Sequence, residues 1–367
     1  MNCSNKDLSW LEINLEAIQH NAQVIQKLVN KPIMAVLKAN AYGLGAGEVA
    51  RALSYSGMSN FAVARISEAN TILQFVPEAK ILILGPISPS DFNKIKSDNI
   101  ALTVHSLNYL SFLKNNLPNK NYKIHIKIDT GFNRLGFSPS DAIEKWNVIF
   151  KSGFQIEGIF SHFSMIDQFP QHPKTEHQLR VFINLLDELK SKFCLPPLIH
   201  FSNSAVAFGL PDAYFSIVRV GSALLGLKPF YYAPLPEQLK RTFEWHSRLV
   251  SCKKVRAGSF FGYGEQISFQ DDTWIGIVST GYGDGYRQSN KNYILIEGNK
   301  YPVVGRINCD FLYVKLQEPF PEGTKVTLLG HQGESEIWLD DLYEAWNTSQ
   351  AEAITTLTDR VTRYYYN

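Results

Sequence analysis

From residue 33 to about residue 221 the hydrophobic positions come in short, β-branched runs, and each run gives way to an amphipathic or turn-forming stretch. The runs are "IMAVLK" (33–38), "NFAVA" (60–64), "KILILG" (80–85), "IALTVH" (100–105), "YKIHIKID" (122–129), "FQIEGIFSH" (154–162), "LIHFS" (198–202) and "FSIVRVG" (215–221). Between them lie amphipathic stretches such as "AGEVARALSYSG" and "TEHQLRVFINLLDELKSK". Two connecting segments, "SPSDFNKIK" and "SPSDAIEKW", open on Ser, Pro and Asp, residues that start helices. Strands alternating with helices imply a parallel sheet. Eight such units over roughly 200 residues suit a closed (β/α)8 barrel of the TIM type better than an open sheet.

The pattern then changes. "FYYAPLPEQLK" (230–240), rich in proline and aromatics, reads as a boundary. Beyond it come strand-like runs without long helices: "RLVSCKKV", "WIGIVST", "YILIEG", "YPVVGRI", "FLYVKL" and "KVTLLG", with turn signals such as "EGNK" and "PEGT". The expected organisation is therefore a barrel over 14–235 and a mainly β domain over 236–367. "LSWLEINL", which alternates like a strand ahead of the first barrel unit, would add residues 1–13 to the second domain.

Composition narrows the class without naming a function. The chain of 367 residues has a formal net charge of +2 and scattered basic residues, so nothing points to nucleic acid. The four cysteines, Cys3, Cys194, Cys252 and Cys309, form no CxxC pair, so no metal site is signalled. The N-terminal segment lacks a continuous apolar stretch, and no segment reaches membrane-span length. The expectation is a cytoplasmic protein with reduced thiols and no membrane partner.

In a barrel of this kind function sits at the C-terminal ends of the strands, and the polar residues there are unusual. The first run ends in Lys38, the fifth carries Lys127 and Asp129 and leads to Arg134, and the sixth ends in His162. The seventh runs into His200, Asn203 and Ser204, and the eighth ends in Arg219, Gly221 and Ser222. A lone lysine at a strand end usually snorkels to water; convergence on one rim argues for chemistry. Gly221, Ser222 and Ser204 follow the last two strands, the usual place for a barrel's phosphate site. An amine whose pKa is lowered by burial and neighbouring cations suits Schiff-base formation. Phosphate and Schiff base together suggest pyridoxal phosphate.

At these residues the chain resembles the alanine racemase family, pyridoxal-phosphate enzymes built from a barrel and a β domain. The resemblance is carried by "AVLKANAYGLG", "KIDTGFNRLGF", "GIFSHFS", "HFSNSA", "VRVGSALLGL", "STGYGDGYR" and "VVGRINCD", in the family's order and over nearly the whole chain. It implies that Lys38 carries the cofactor aldehyde as a Schiff base and is one base, and that Tyr282 is the other, on the opposite face of the substrate Cα. Tyr42, Ser204, Gly221 and Ser222 would hold the phosphate, Arg219 would face the pyridine nitrogen, and His162 would pack near the ring and support Tyr282. Arg134 and the backbone N–H of Cys309 would take the substrate carboxylate, with Asp310 behind them. In the family the tyrosine comes from the second subunit, so a head-to-tail homodimer with shared active sites is implied, making D-alanine for peptidoglycan. Lys127 would be carbamylated, an anion orienting Arg134; the alternative is that Asp129 alone balances its charge.

His200 reads either as a satisfied core histidine or as a partner of Arg219, the neighbouring strands favouring the second. Tyr263 reads equally as an entrance residue or a core aromatic. Leu44 stands where the family commonly has histidine, Cys309 replaces a frequent methionine, and Asp359 stands where some members place a phosphate-contacting tyrosine. The rival functions are a racemase of broader specificity acting on serine or lysine, a basic amino-acid decarboxylase, and a non-catalytic pyridoxal-phosphate-binding protein. Arg219 argues against the decarboxylase, which sets an acid against the ring nitrogen, and the extra β domain argues against the last.

Overall fold

A computed structural model describes residues 7–117, 122–263 and 267–367. It divides into two compact units, Ala17–Arg241 and the residues through Glu16 together with Thr242–Asn367. The first strand, β1 (Ser9–Asn14), belongs to the second unit.

The Ala17–Arg241 unit is an eight-stranded parallel sheet: β2 (Ile33–Val36), β3 (Asn60–Val63), β4 (Lys80–Ile83), β5 (Ile100–Val104), β6 (Lys123–Lys127), β7 (Gln155–Phe160), β8 (Leu198–His200) and β9 (Val218–Val220). Neighbours pair in sequence order, and β9 returns to pair with β2. The circuit is nearly closed, and hydroxyl groups bridge its seam between β8 and β9. Ser216 Oγ accepts from Ile199 N (2.6 Å), Ser216 N donates to Ile199 O (3.1 Å), and Ser202 Oγ accepts from Arg219 N (2.7 Å). Alternation along the strands puts Met34, Ala62, Leu82, Ala101, Leu198 and Ile217 on one face, where they pack as a single buried cluster. The same face carries His125, His200 and Arg219 farther along β6, β8 and β9.

The two Ser-Pro-Ser-Asp segments fold differently. Ser138 caps a twelve-residue helix, Pro139–Phe150, by accepting from Asp141 N, and that helix buries Ala142, Trp146 and Ile149. Ser88 starts only a 3-10 turn, Pro89–Lys94. That turn buries Phe92 alone, and the polar residues after it offer no apolar stripe to carry a helix onward.

In the other unit β10 (Phe243–Val255) pairs antiparallel with β1. A short hairpin, β11 (Phe260–Phe261) and β12 (Ile267–Ser268), follows it. Next come β13 (Thr273–Val278), β14 (Tyr293–Ile296), β15 (Asn299–Pro302), β16 (Leu312–Leu316), β17 (Lys325–Gln332) and β18 (Ser335–Ile337). The last strand, β19 (Thr362–Tyr366), lies parallel to β1, so β1 is enclosed between β10 and β19. Its Trp10, Leu11 and Ile13 are buried.

Candidate active site

The stretch around Lys38 departs from the strand reading. β2 ends at Val36, and Lys38 opens a tight turn instead of closing a strand. Ala39, Asn40, Ala41 and Tyr42 follow with φ of 53°, 56°, 53° and 54°, a left-handed coil of four non-glycine residues. Each such residue costs roughly 1–2 kcal/mol, so the surroundings must hold the turn. Glu68 does so from the next strand–helix unit: its carboxylate accepts from Ala39 N (2.6 Å), Ala64 N (2.8 Å) and Arg65 N (3.0 Å). Asn40 Oδ1 accepts from Ala46 N (2.8 Å), closing the loop around Gly43 and Gly45. Leu44 is wholly buried and packs as core.

Lys38 is therefore exposed, not a buried strand residue. Its Nζ lies 6.0 Å from the Tyr42 ring centroid and makes no hydrogen bond or ion pair among the described residues. Although the residue reaches solvent, the rim atoms around its amine desolvate it in part and lower its pKa, Arg134 and Arg219 add to the lowering, and Glu68 opposes it. The neutral, nucleophilic amine is favoured accordingly. Burial pushes the Tyr42 phenol up to about 12, so it stays a hydroxyl donor.

Behind the amine, Arg219 is 3% exposed. Its Nη1 donates to His200 Nδ1 and to His200 O (3.2 Å), and its Nη2 donates to Ser161 O (2.8 Å) and lies 3.5 Å from His162 Nδ1. Among the described residues the Nε–H has no partner. His200 is thus a partner of Arg219, and itself fully buried. Burial and the neighbouring cations hold the pKa of His162 and of His200 well below the usual histidine value, so both are neutral near pH 7. Gln178 fixes the His162 backbone by donating to its carbonyl (3.2 Å).

Ser204 Oγ meets the turn after β9: Gly221 N and Ala223 N each donate to it at 3.2 Å, and Ser222 Oγ lies 3.1 Å away. Asn203 caps the short helix that begins at Ser204. A Cβ at Gly221 would stand 2.7 Å from the Tyr42 hydroxyl and 3.3 Å from Val36, so the glycine lets that hydroxyl approach the turn.

On the far side of the rim Lys127 is 8% exposed, and its Nζ lies 5.2 Å from the Phe160 ring centroid. Burial, then Arg134 and Arg219, lower its pKa to about 8 against a smaller opposing pull from Asp129. Asp129 is occupied elsewhere. Its Oδ1 accepts from Gly131, Phe132 and Asn133 N (2.9, 2.9 and 3.1 Å) and its Oδ2 from Arg134 N (3.0 Å), which shapes the exposed Arg134 loop. The Arg134 guanidinium stacks on Phe132 at 4.1 Å.

The β unit gathers the remaining candidates within itself. Tyr282 begins a one-turn 3-10 segment, is 62% exposed, and donates its backbone N–H to Asn308 O (3.0 Å). The glycines of "GYGDG" are there because the 308–309 backbone passes so close. A Cβ at Gly281 would fall 2.3 Å from Asn308 O, and one at Gly283 would fall 2.8 Å from Cys309 O. Asp284, buried, accepts from Gly281 N (2.8 Å), and Arg360 ties the two loops together through Asp284 (3.2 Å) and Asp310 (2.7 Å). The Cys309 N–H has no partner among the described residues. Asp284 and Arg360 have no role in the reading of the sequence; a glycine-rich turn gives no hint of which charges brace it. Tyr263 is 60% exposed, which excludes the core-aromatic reading, and Asp359 faces solvent beside Arg363.

An open amine, a buried guanidinium and a hydroxyl-lined glycine turn at one end of a parallel barrel are the groups that carbonyl chemistry on a phosphorylated ligand requires. Comparison with known proteins gives the particular family. The alanine racemase N-terminal domain matches residues 13–229 and the alanine racemase C-terminal domain matches residues 242–365. An alanine racemase of Geobacillus stearothermophilus is 36% identical over 380 residues, covering 100% of this chain and 95% of that protein. Among solved structures, alanine racemase from E. faecalis matches with a TM-score of 0.92 at 31% identity, covering 98% of each chain. That from Bacillus anthracis with bound L-Ala-P matches with a TM-score of 0.91 at 30% identity, covering 98% of this chain and 95% of that one. The chain belongs to the alanine racemase family, whose enzymes are pyridoxal-phosphate-dependent isomerases.

Proposed function

We propose that this protein interconverts L- and D-alanine, with Lys38 and Tyr282 exchanging the Cα proton on opposite faces of the substrate. The observation that carries the reading is the unpaired amine of Lys38, poised toward its neutral form, on the same rim as the buried Arg219. The rim fits the cofactor: the turn at Gly221, bordered by Tyr42, Ser204 and Ser222, suits a phosphate, and the free Nε–H of Arg219 suits an unprotonated ring nitrogen. Bound there, pyridoxal phosphate supplies an aldehyde for amines and a conjugated ring that acidifies the substrate's Cα–H.

The chain's own groups do the rest. Lys38 accepts or returns the Cα proton on one side, and Tyr282 does so on the other. Arg219, whose pKa burial lowers to about 9, keeps its proton near pH 7, leaves the ring nitrogen without one and limits charge delocalisation, which disfavours side reactions. Neutral His162 turns its bare Nδ1 to Arg219, so its Nε2–H is free to donate to the oxygen of the partner subunit's Tyr282. Arg134, with the Cys309 N–H and Asp310 behind it, holds the substrate carboxylate. Tyr282 serves the partner's barrel in a head-to-tail homodimer, and the product supplies peptidoglycan synthesis from the cytoplasm. Among the described residues, no helix is long and apolar enough to cross a membrane.

The direct test is incubation of the purified, cofactor-loaded protein with L-alanine. D-alanine should accumulate to an equal mixture; a yellow protein that forms none would refute the racemase reading. Gly221→Val should weaken pyridoxal phosphate retention at least about tenfold, since the added side chain collides with the Tyr42 hydroxyl. Absorbance titration of the cofactor-free variant measures it, and unchanged affinity would remove Gly221 from the cradle.

Lys127 is best read as a carbamate. A buried ammonium facing Arg134 and Arg219, with Asp129 committed to four backbone N–H groups, has no adequate counter-charge. The neutral amine adds carbon dioxide, forming an N–C bond and releasing a proton, so a cation becomes an anion beside Arg134. Because the folded amine loses its proton near pH 8, the neutral fraction and the carbamate should both increase from pH 7 to pH 9. Labelling with 13C-bicarbonate should give a carbamate signal that Lys127→Ala abolishes; its absence from wild type throughout that range would refute the assignment.

A further inference from the structure

Arg219 is a buried cation near pH 7, and no carboxylate pairs with it among the described residues. A hydrogen-bonded chain nevertheless joins it to one. Arg219 Nη1 contacts His200 Nδ1; His200 Nε2 lies 2.8 Å from His125 Nδ1; His125 Nε2 lies 3.2 Å from Glu157 Oε2. Both imidazoles are buried, and Lys123 pairs with the other oxygen of Glu157 at 3.3 Å.

The direction of this chain is forced. A guanidinium only donates and a carboxylate only accepts. His200 Nδ1 must therefore be a bare acceptor, which puts its proton on Nε2. That proton faces His125 Nδ1, which must also be bare, so the second proton sits on Nε2 and points at Glu157. The opposite tautomers would set an imidazole N–H against the arginine N–H. Either end alone selects the same pair of tautomers, so the two ends reinforce each other.

The barrel is shaped around this chain. His125 is on β6 and His200 on β8, so their contact crosses β7. It crosses at Gly158, where a Cβ would lie 2.2 Å from His125 Nδ1. The β6–β7 pairing shifts register between Ile124 and His125, and Glu157 falls in the skipped position. Phe160 stacks on His200 with centroids 4.8 Å apart and planes 10° apart, and it also underlies Arg219 at 5.2 Å.

We propose that Glu157 and His125 are positioning residues for Arg219: they hold His200 as its Nε2–H tautomer, so that a lone pair always faces the guanidinium and its Nε–H stays directed away from the chain. What that Nε–H meets rests on the pyridoxal-phosphate reading above; the tautomers and the held orientation do not. Glu157 thus acts on the rim from the other end of β7, through two neutral rings.

Solid-state NMR of the cofactor-free protein, labelled with 15N in histidine and arginine, tests this without any turnover. In wild type both rings should carry the proton on Nε2. In Arg219→Leu, His200 should keep that tautomer, because Glu157 and His125 still dictate it. In Glu157→Leu the exchange of the Arg219 Nη1–H that meets His200 should quicken at least about tenfold, and Glu157→Gln, whose amide oxygen still accepts from His125, should restore slow exchange. A proton on Nδ1 of either ring in wild type would overturn the proposal. So would loss of the His200 tautomer in Arg219→Leu, or identical exchange in the Gln and Leu variants. Should Glu157→Leu fail to fold, the wild-type and Arg219→Leu tautomers decide. A protein with this tautomer pair that forms no D-alanine refutes the racemase reading and leaves this one standing.

Discussion

Lys38→Ala is expected to fold as the wild type does and to racemise alanine more than about 10^4-fold more slowly. A positioned base alone contributes roughly 10^2–10^4-fold, and on the proposed reading the same amine also anchors the cofactor. The fold should survive because the Lys38 side chain is exposed and its amine supports nothing. The left-handed turn depends on the Ala39 N–H bond to Glu68 and on Asn40, which the substitution leaves in place. Activity, visible absorbance and melting temperature measured together separate the outcomes. Loss of activity and of the internal cofactor bond with an unchanged melting temperature is the expected result. Retention of even a tenth of the activity would remove Lys38 from the mechanism.

Tyr282→Phe should produce an asymmetric defect. Racemisation in either direction needs both faces of the Cα served, so it should fall by roughly 10^2–10^4-fold. Exchange of the Cα hydrogen with heavy water needs only one face. The variant should therefore still exchange one enantiomer at close to the wild-type rate, through Lys38, and lose exchange of the other. Tyr282 is 62% exposed and its hydroxyl braces nothing, whereas its backbone is held by Asn308 and the turn by Asp284. Phenylalanine keeps all of that. Proton NMR of each pure enantiomer in heavy water measures the two exchange rates. Equal slowing of both enantiomers would mean that Tyr282 shapes the site and is not a base.

The sequence exposed the barrel because its strands are short, β-branched and bounded by turn residues, and each of the eight runs contains an observed strand. The inward-facing polar residues were legible too, since Lys123, His125, Lys127 and Asp129 break the apolar pattern of one run. Their partners were not. Glu157 reaches His125 only because the β6–β7 register slips, and a slip leaves no mark on hydrophobic periodicity. The Lys38 turn was misread for a similar reason. Ala39, Asn40 and Ala41 have no residue-level preference for four successive left-handed conformations, and the turn is imposed by a carboxylate from Glu68, 29 residues away. "SPSD" gave one helix and one 3-10 turn because capping residues start a helix but only a buried stripe sustains it.

The enclosure of β1 between β10 and β19 has a consequence in time. Ser9 pairs with Ser247, so the strand made first cannot find its antiparallel neighbour until the whole of Ala17–Arg241 has been synthesised. Those 225 residues (241 − 17 + 1) take roughly 11–45 s at about 5–20 residues per second. During that wait Trp10, Leu11 and Ile13 are an apolar strand without a sheet, while the barrel can form on the ribosome. A nascent-chain arrest series should find the barrel protease-resistant well before β1, with Trp10, Leu11 and Ile13 open to a chaperone during the delay.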